Sequence, residues 1–247
     1  MTQRCALITG GTTGLGEAIA RKLHDAGHTV LVTHFAGSEG ADEWLTAQAA
    51  DGYRFKVYDV DVSDYDSCQE AANRIEADGY QVDILVNNAG ITRDGTFRKM
   101  VKEKWDAVLR TNLDSMYNVT TSYVEGMAAR GWGRIVNISS VNGTKGQFGQ
   151  TNYSAAKAGI QGFTKALAQE VARKGVTVNA VSPGYVATAM VEAVNPEILE
   201  KQIISQIPMG RLGRPGEVAA LVAFLCGEDA GYITGANVAI NGGMHMY

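Results

Sequence analysis

The chain has 247 residues, 45% hydrophobic and 19% charged, which is enough apolar material for a buried core and excludes an intrinsically disordered chain. Its 22 basic and 26 acidic residues give a net charge of −4 with no basic run, so a binder that neutralises successive nucleic-acid phosphates is excluded. No run is apolar for the roughly 18 residues of a membrane span, and Cys5, Cys68 and Cys226 lie far apart without a CxxC pair, so no membrane segment, disulfide or bound metal is expected.

The first strand-like run, CALITG from Cys5, stands so close to the start that no leader fits ahead of it, and a cytosolic address is the expectation. It leads directly into TGGTTGLG, where Gly10, Gly14 and Gly16 let the backbone turn tightly and expose the N–H groups of a following helix to an anion such as a pyrophosphate. That helix is marked by Leu15, Ile19 and Leu23 recurring every fourth residue and by Gly27 as its stop. TVLVTH then completes a βαβ unit. YRFKVYDV, VDILVNNAG, GRIVNIS, VTVNAVSPG and ANVAING follow as further apolar runs separated by helical sequence. Continuous apolar strands are those buried on both faces of a parallel sheet. The pattern predicts one α/β, doubly wound Rossmann domain over residues 1–247, with about seven parallel strands and helices on both faces.

Two long helical stretches, about 102–130 and 151–174, are rich in Ala, Met, Tyr and Thr, and suit either a partner subunit's surface or the cover of the sheet. The segment 189–210 reads as a helical insertion and a candidate substrate lid. Ligands of open α/β sheets bind beyond the carboxyl ends of the strands, so Asp61, Asn88, Gly90 and the Ser182 to Gly184 turn should line one crevice.

In NYSAAKAG, Tyr153 and Lys157 stand one helical turn apart on a single face. A free phenol has a pKa of about 10, and a neighbouring ammonium favours the phenolate, so the pair reads as an acid and base tuned toward neutrality. The small residues Ser154, Ala155, Ala156 and Ala158 would let a flat cofactor lie close. Ser140 closes the fifth strand with a hydroxyl able to hold a carbonyl oxygen, and Asn112 stands in TNL within a helix, where an amide is a mediocre helix former.

TGxxxGxG, NNAG, SPG and YSAAK together make the chain resemble the short-chain dehydrogenase/reductase family over essentially its whole length. The resemblance implies a pyrophosphate cradle of Gly10, Gly14 and Gly16, with Asp61 on the adenine amine, Asn88 and Gly90 on the adenosine side and Thr188 on the nicotinamide amide. It extends the cofactor set to Thr13, Leu15, Val62, Ala89, Pro183, Gly184 and Val186, with Tyr153 and Lys157. It implies that Asn112, Ser140, Tyr153 and Lys157 form the catalytic group, with Asn112 holding a water that relays protons to Lys157, and that no metal takes part.

NNAGITRDGTFRKM, RGWGRIVNISSVNGTKGQFGQTNYSAAKAG and NGGMHM resemble the acetoacetyl-CoA-reducing branch of that family, which serves polyhydroxybutyrate synthesis. This implies an acyl-CoA substrate contacted by Ser140, Gln147, Phe148, Gln150 and Tyr185, with Asp94 and Lys99 at the mouth, and a homotetramer. Reduction of 3-oxoacyl groups on an acidic carrier protein remains the alternative, and Arg130 and Arg173 could dock such a carrier. A non-catalytic nucleotide sensor is a more remote one. The branch's usual cofactor is NADPH, whose 2′-phosphate calls for Arg or Lys after the second strand. HFAGSEGADEW has neither, offers only His34 as a basic candidate and carries Glu39, so substantial use of NADH is expected.

Overall fold

The structure is a computed structural model and describes residues 3–188, 191, 197 and 199–246. Seven strands, β1 (Cys5–Ile8), β2 (Thr29–His34), β3 (Phe55–Asp59), β4 (Ile84–Asn87), β5 (Gly133–Ile138), β6 (Val176–Pro183) and β7 (Asn237–Ile240), pair in parallel in the order β3-β2-β1-β4-β5-β6-β7. Every strand pairing is parallel and seven strands form, as the apolar runs predict. Chain winding reverses between β1 and β4, and their carboxyl ends open the crevice in which such sheets bind ligands.

Side chains alternate across the sheet, so successive residues of one strand enter different cores. In β1, Ala6 and Ile8 pack into one cluster and Cys5 and Leu7 into the other. The first core is covered by α1 (Gly14–Asp25) and α9 (Pro215–Cys226), with Ile19, Ala20 and Leu23 meeting Val218, Val222 and Leu225. Of the second, α3 (Tyr65–Ala77) supplies Cys68, Ala71 and Ile75, and α8 (Thr151–Val171) supplies Ala168 and Val171. All three cysteines are free and buried, and burial lifts each thiol to about 12.

The second long helical stretch folds as predicted, α8 being prolonged by a 3-10 turn to Lys174. The first does not form one helix. It divides into α4 (Lys102–Leu109), a π-helical turn (Arg110–Asp114), α5 (Ser115–Thr120) and α6 (Val124–Ala129), the outer elements being separated from α2 (Ala41–Ala50) by β3, α3 and β4. Asn112 lies within the π turn and bonds outside its helix, which is the physical reason for the break. Of the predicted lid, Ala189, Met190, 192–196 and Ile198 lie outside the described residues, while Leu199–Ile203 forms a π turn and Ile204–Gln206 a 3-10 turn. No helix among the described residues is long and apolar enough to cross a membrane.

Candidate active site

The glycine loop follows β1 and is fastened to the end of β4. Asn88 Nδ2 donates to the carbonyls of Thr9 at 2.9 Å and Gly10 at 3.1 Å, while Thr9 Oγ1 accepts from the backbone N–H groups of Asn88 at 2.9 Å and Ala89 at 3.0 Å. Asn88 is thereby a structural clasp that shapes the loop. Gly16 packs beneath it: a Cβ there would overlap the Gly10 carbonyl oxygen and lie 2.6 Å from Asn88 Nδ2, so only glycine fits. At the N-terminus of α1, Thr13 makes no side-chain cap bond, leaving first-turn N–H groups directed to a ligand.

A cleft of about 1200 Å³ opens beside this loop, lined by Gly10, Thr13, Gly14, Leu15, Gly16, Asp61, Val62, Asn88, Ala89, Gly90 and Thr188 from the predicted cofactor set. Asp61 Oδ1 accepts from Ser63 N–H at 2.9 Å and Ser63 Oγ at 2.7 Å, which fixes its carboxylate on the cleft wall. A neighbouring pocket of about 550 Å³ shares Leu15, Asn88, Gly90 and Thr188 with the cleft and is lined by Asn112, Ser140, Tyr153, Lys157, Pro183, Gly184 and Val186, together with Asp94, Gln150 and Tyr185. The residues fit a dinucleotide: exposed helix-terminal N–H groups for charge, a fixed carboxylate for an exocyclic amine, and a long continuous cleft.

Ser140 stands two residues beyond β5 and caps α7 (Val141–Lys145), its Oγ accepting from Asn142 N–H at 3.1 Å. Tyr153 and Lys157 project together from α8, with Lys157 Nζ 5.5 Å from the Tyr153 ring centroid. The lysine is 4% exposed and its ammonium donates to the Ile138 carbonyl at 2.8 Å, while Ser139 Oγ holds the Lys157 carbonyl at 2.8 Å. The side chains therefore converge, as the spacing predicts. The electrostatics differ from the prediction. Burial raises the Tyr153 phenol above its ordinary value, a hydrogen bond with Ser140 opposes this, and Asp94 and Tyr185 add to the rise. Burial likewise pushes Lys157 down to about 8. Both charged forms lose water at once, and that loss moves each group toward its neutral form.

Asn112 is fully buried, yet its amide is committed to Ile91, Oδ1 accepting from Ile91 N–H at 3.0 Å and Nδ2 donating to Ile91 C=O at 2.8 Å. That pairing gives its side chain a structural task while the residue stays on the pocket wall. Gly90 lies against it: a Cβ would overlap Asn112 Oδ1 and stand 3.6 Å from Lys157 Nζ. Gly90→Ala is expected to destabilise the fold by about 1–3 kcal/mol, read as a lower midpoint in thermal unfolding, and to weaken cofactor binding.

Other predicted residues lie off the walls of both cavities. His34 lines neither cavity: it is 8% exposed and both ring nitrogens are engaged, Nδ1 by Thr12 Oγ1 at 3.1 Å and Nε2 by Ser38 Oγ at 2.6 Å. Glu39 is exposed and off the cleft wall; Thr33, Phe35 and Ser38 line that corner instead. Lys99 is exposed, Phe148 is 87% exposed and Gln147 accepts from Lys145 Nζ at 2.7 Å, and none of the three lines either cavity. Ala156 is a core residue, Ala155 and Ala158 face outward, and none of the three lines either cavity. Thr9, Ser139, Asn142 and Asn152 were invisible as site residues because their signal is hydrogen bonding across distant segments. Asn152, for example, binds the carbonyls of Arg93 and Lys104. Among the described residues no three His, Cys, Asp or Glu cluster as metal ligands.

A crevice at the β1/β4 reversal that joins a helix-capped glycine loop to a half-buried Tyr and a buried Lys is built for redox chemistry on a dinucleotide, which makes the protein an oxidoreductase with a nicotinamide cofactor. The chain belongs to the short-chain dehydrogenase/reductase family, and residues 10–245 match the member family described as Enoyl-(Acyl carrier protein) reductase. It is similar to an acetoacetyl-CoA reductase of Cupriavidus necator, 54% identical over all of both chains, and to nodulation protein G of Azospirillum brasilense, 55% identical over 99% of each. A 3-oxoacyl-(acyl-carrier-protein) reductase of Haemophilus influenzae is 44% identical over all of both chains.

Proposed function

We propose that the chain reduces acetoacetyl-CoA to (R)-3-hydroxybutyryl-CoA, and that the observation carrying this is the convergence of Ser140, Tyr153 and Lys157 in a pocket continuous with the glycine-loop cleft. The bound nicotinamide supplies hydride at the carbonyl carbon. Ser140 bonds the carbonyl oxygen, and Tyr153, kept protonated by its burial, donates the phenolic proton to that oxygen. Lys157 offsets the charge left on the phenol as the proton departs. Gly10, Gly14 and Gly16 cradle the pyrophosphate, and Thr188, at the junction of both cavities, meets the nicotinamide.

The similarity to the Cupriavidus necator reductase supports CoA over a carrier protein as the acyl holder. Position supports it too. Arg130 bonds the Val82 carbonyl and Asp83, and Arg173 lies just before β6, so both stand at the amino ends of the strands. The pocket opens roughly 20 Å away, at the carboxyl ends. Faster turnover of acetoacetyl-CoA than of the acetoacetyl group on carrier protein is the expected result; the reverse order would overturn the choice.

The proposal includes cofactor preference. The corner at Thr33, Phe35 and Ser38 presents no Arg or Lys, and Arg21 is spent on Gln48 and Asp51. Without a cation, a 2′-phosphate loses its charge-assisted bonds, so NADH should show the lower KM in steady-state kinetics. A homotetramer, a cytosolic address and a lid over 189–210 belong to the same reading. Val191 and Ile203, on the pocket wall, support the lid.

A further inference from the structure

Asp94, Gln150 and Asn142 form a side-chain chain across the substrate pocket. Gln150 Nε2 donates to Asp94 Oδ2 at 2.9 Å, and Asn142 Nδ2 donates to Gln150 Oε1 at 3.0 Å. Its direction is dictated by the first member. A carboxylate only accepts, so Gln150 must turn its NH₂ toward Asp94 and its oxygen toward Asn142, which must then offer its own NH₂. Each amide has one orientation.

The chain joins the two segments that supply the reacting groups to the loop after β4. Asp94 lies in the loop after β4, Asn142 in the first turn of α7 and Gln150 at the N-cap of α8. Asn142 also gives its backbone N–H to Ser140 Oγ at 3.1 Å, so one serine lone pair is filled and the hydroxyl is aimed by what remains. Tyr153 follows Gln150 by three residues, in the first turn of α8. Asn142 is 7% exposed, and the Gly95 N–H bond to the Gly149 carbonyl at 2.8 Å reinforces the same junction in the backbone.

We propose that Asn142 and Gln150, polarised by Asp94, are positioning residues that set the Ser140 and Tyr153 hydroxyls against one substrate oxygen. This deepens, and rests on, the ketone-reductase reading above. Gln150 lines the pocket, where the sequence suggested a substrate contact, and acts within the protein as well.

Three variants test it with acetoacetyl-CoA and reduced cofactor. Gln150→Glu sets carboxylate against carboxylate and breaks the first bond. It should lower kcat about 10- to 100-fold, the usual penalty of a small misplacement, with little change in cofactor KM. Asp94→Asn combined with Gln150→Glu restores the order of bonds, because the new carboxylate at 150 accepts from amides on both sides, and should recover most of the lost kcat. Asn142→Asp, an isosteric change that opposes two oxygens, should repeat the single-variant loss while keeping the wild-type unfolding temperature within a few degrees. A double variant no better than Gln150→Glu, or losses confined to the KM of the thioester, would overturn the proposal. Wild-type protein idle on acetoacetyl-CoA would instead bring down the reductase reading itself, and this inference with it.

Discussion

Tyr153→Phe is expected to lower kcat for acetoacetyl-CoA by about 10³-fold or more, within the range of about 10²–10⁴ for a general acid compounded by the loss of an oxygen-binding hydroxyl. Phe keeps the ring that packs below the Lys157 ammonium and removes only the oxygen, so the cleft should hold cofactor as before. Cofactor binding followed by quenching of protein fluorescence, beside steady-state rates, separates the two effects. Near-normal turnover would sink the assignment of the acid. Burial keeps the phenol protonated throughout the neutral range, so the enzyme meets a ketone already loaded with its proton.

Lys157→Met is the second large effect, and it runs in opposite directions for activity and stability. Loss of the ammonium removes the charge that offsets the ionising phenol, and kcat/KM should fall by about 10²-fold or more. Stability should rise. In the folded protein the lysine titrates near 8, against about 10.4 when unfolded, so carrying its proton in the fold costs about 3 kcal/mol. That penalty is complete below pH 8 and fades as pH rises toward 10.4, where both states become neutral. Met removes the penalty but leaves the Ile138 carbonyl without its ammonium donor, a loss of about 1–3 kcal/mol. Thermal unfolding of ligand-free protein should therefore favour the variant near pH 7 and lose that advantage by pH 10. A variant that unfolds earlier at pH 7 would contradict the desolvated lysine. The same titration predicts that wild-type activity falls as pH rises through about 8.

The strands were legible because both faces of a parallel sheet demand apolar side chains, so their runs are nearly unbroken. Gly16 and Gly90 were legible for a different reason: a backbone that must pass within contact distance of another leaves a glycine at a fixed spacing. Less was legible where a side chain's partner is remote. His34 read as a basic residue beside a phosphate site, and nothing local told that Thr12 and Ser38 would take both its nitrogens. The helix over 102–130 read as continuous because its pattern is helical on either side of the π turn, and the reason for the break, the backbone of Ile91, lies 21 residues back. The upward shift of Tyr153 in the protein alone was not legible, because spacing reveals proximity and says nothing of how much water two groups lose.

The clasp between Asn88 and the Thr9 and Gly10 carbonyls spans 79 and 78 residues of chain. A polypeptide leaving the ribosome therefore holds a complete βαβ unit whose glycine loop is tied to Thr33 of β2 through the Gly10 and Gly11 N–H groups, yet the second half of its bracing waits until β4 arrives and pairs with β1. Full nucleotide affinity should therefore be reached only when that fourth strand docks, and chains arrested before it should compete weakly for the cofactor pool.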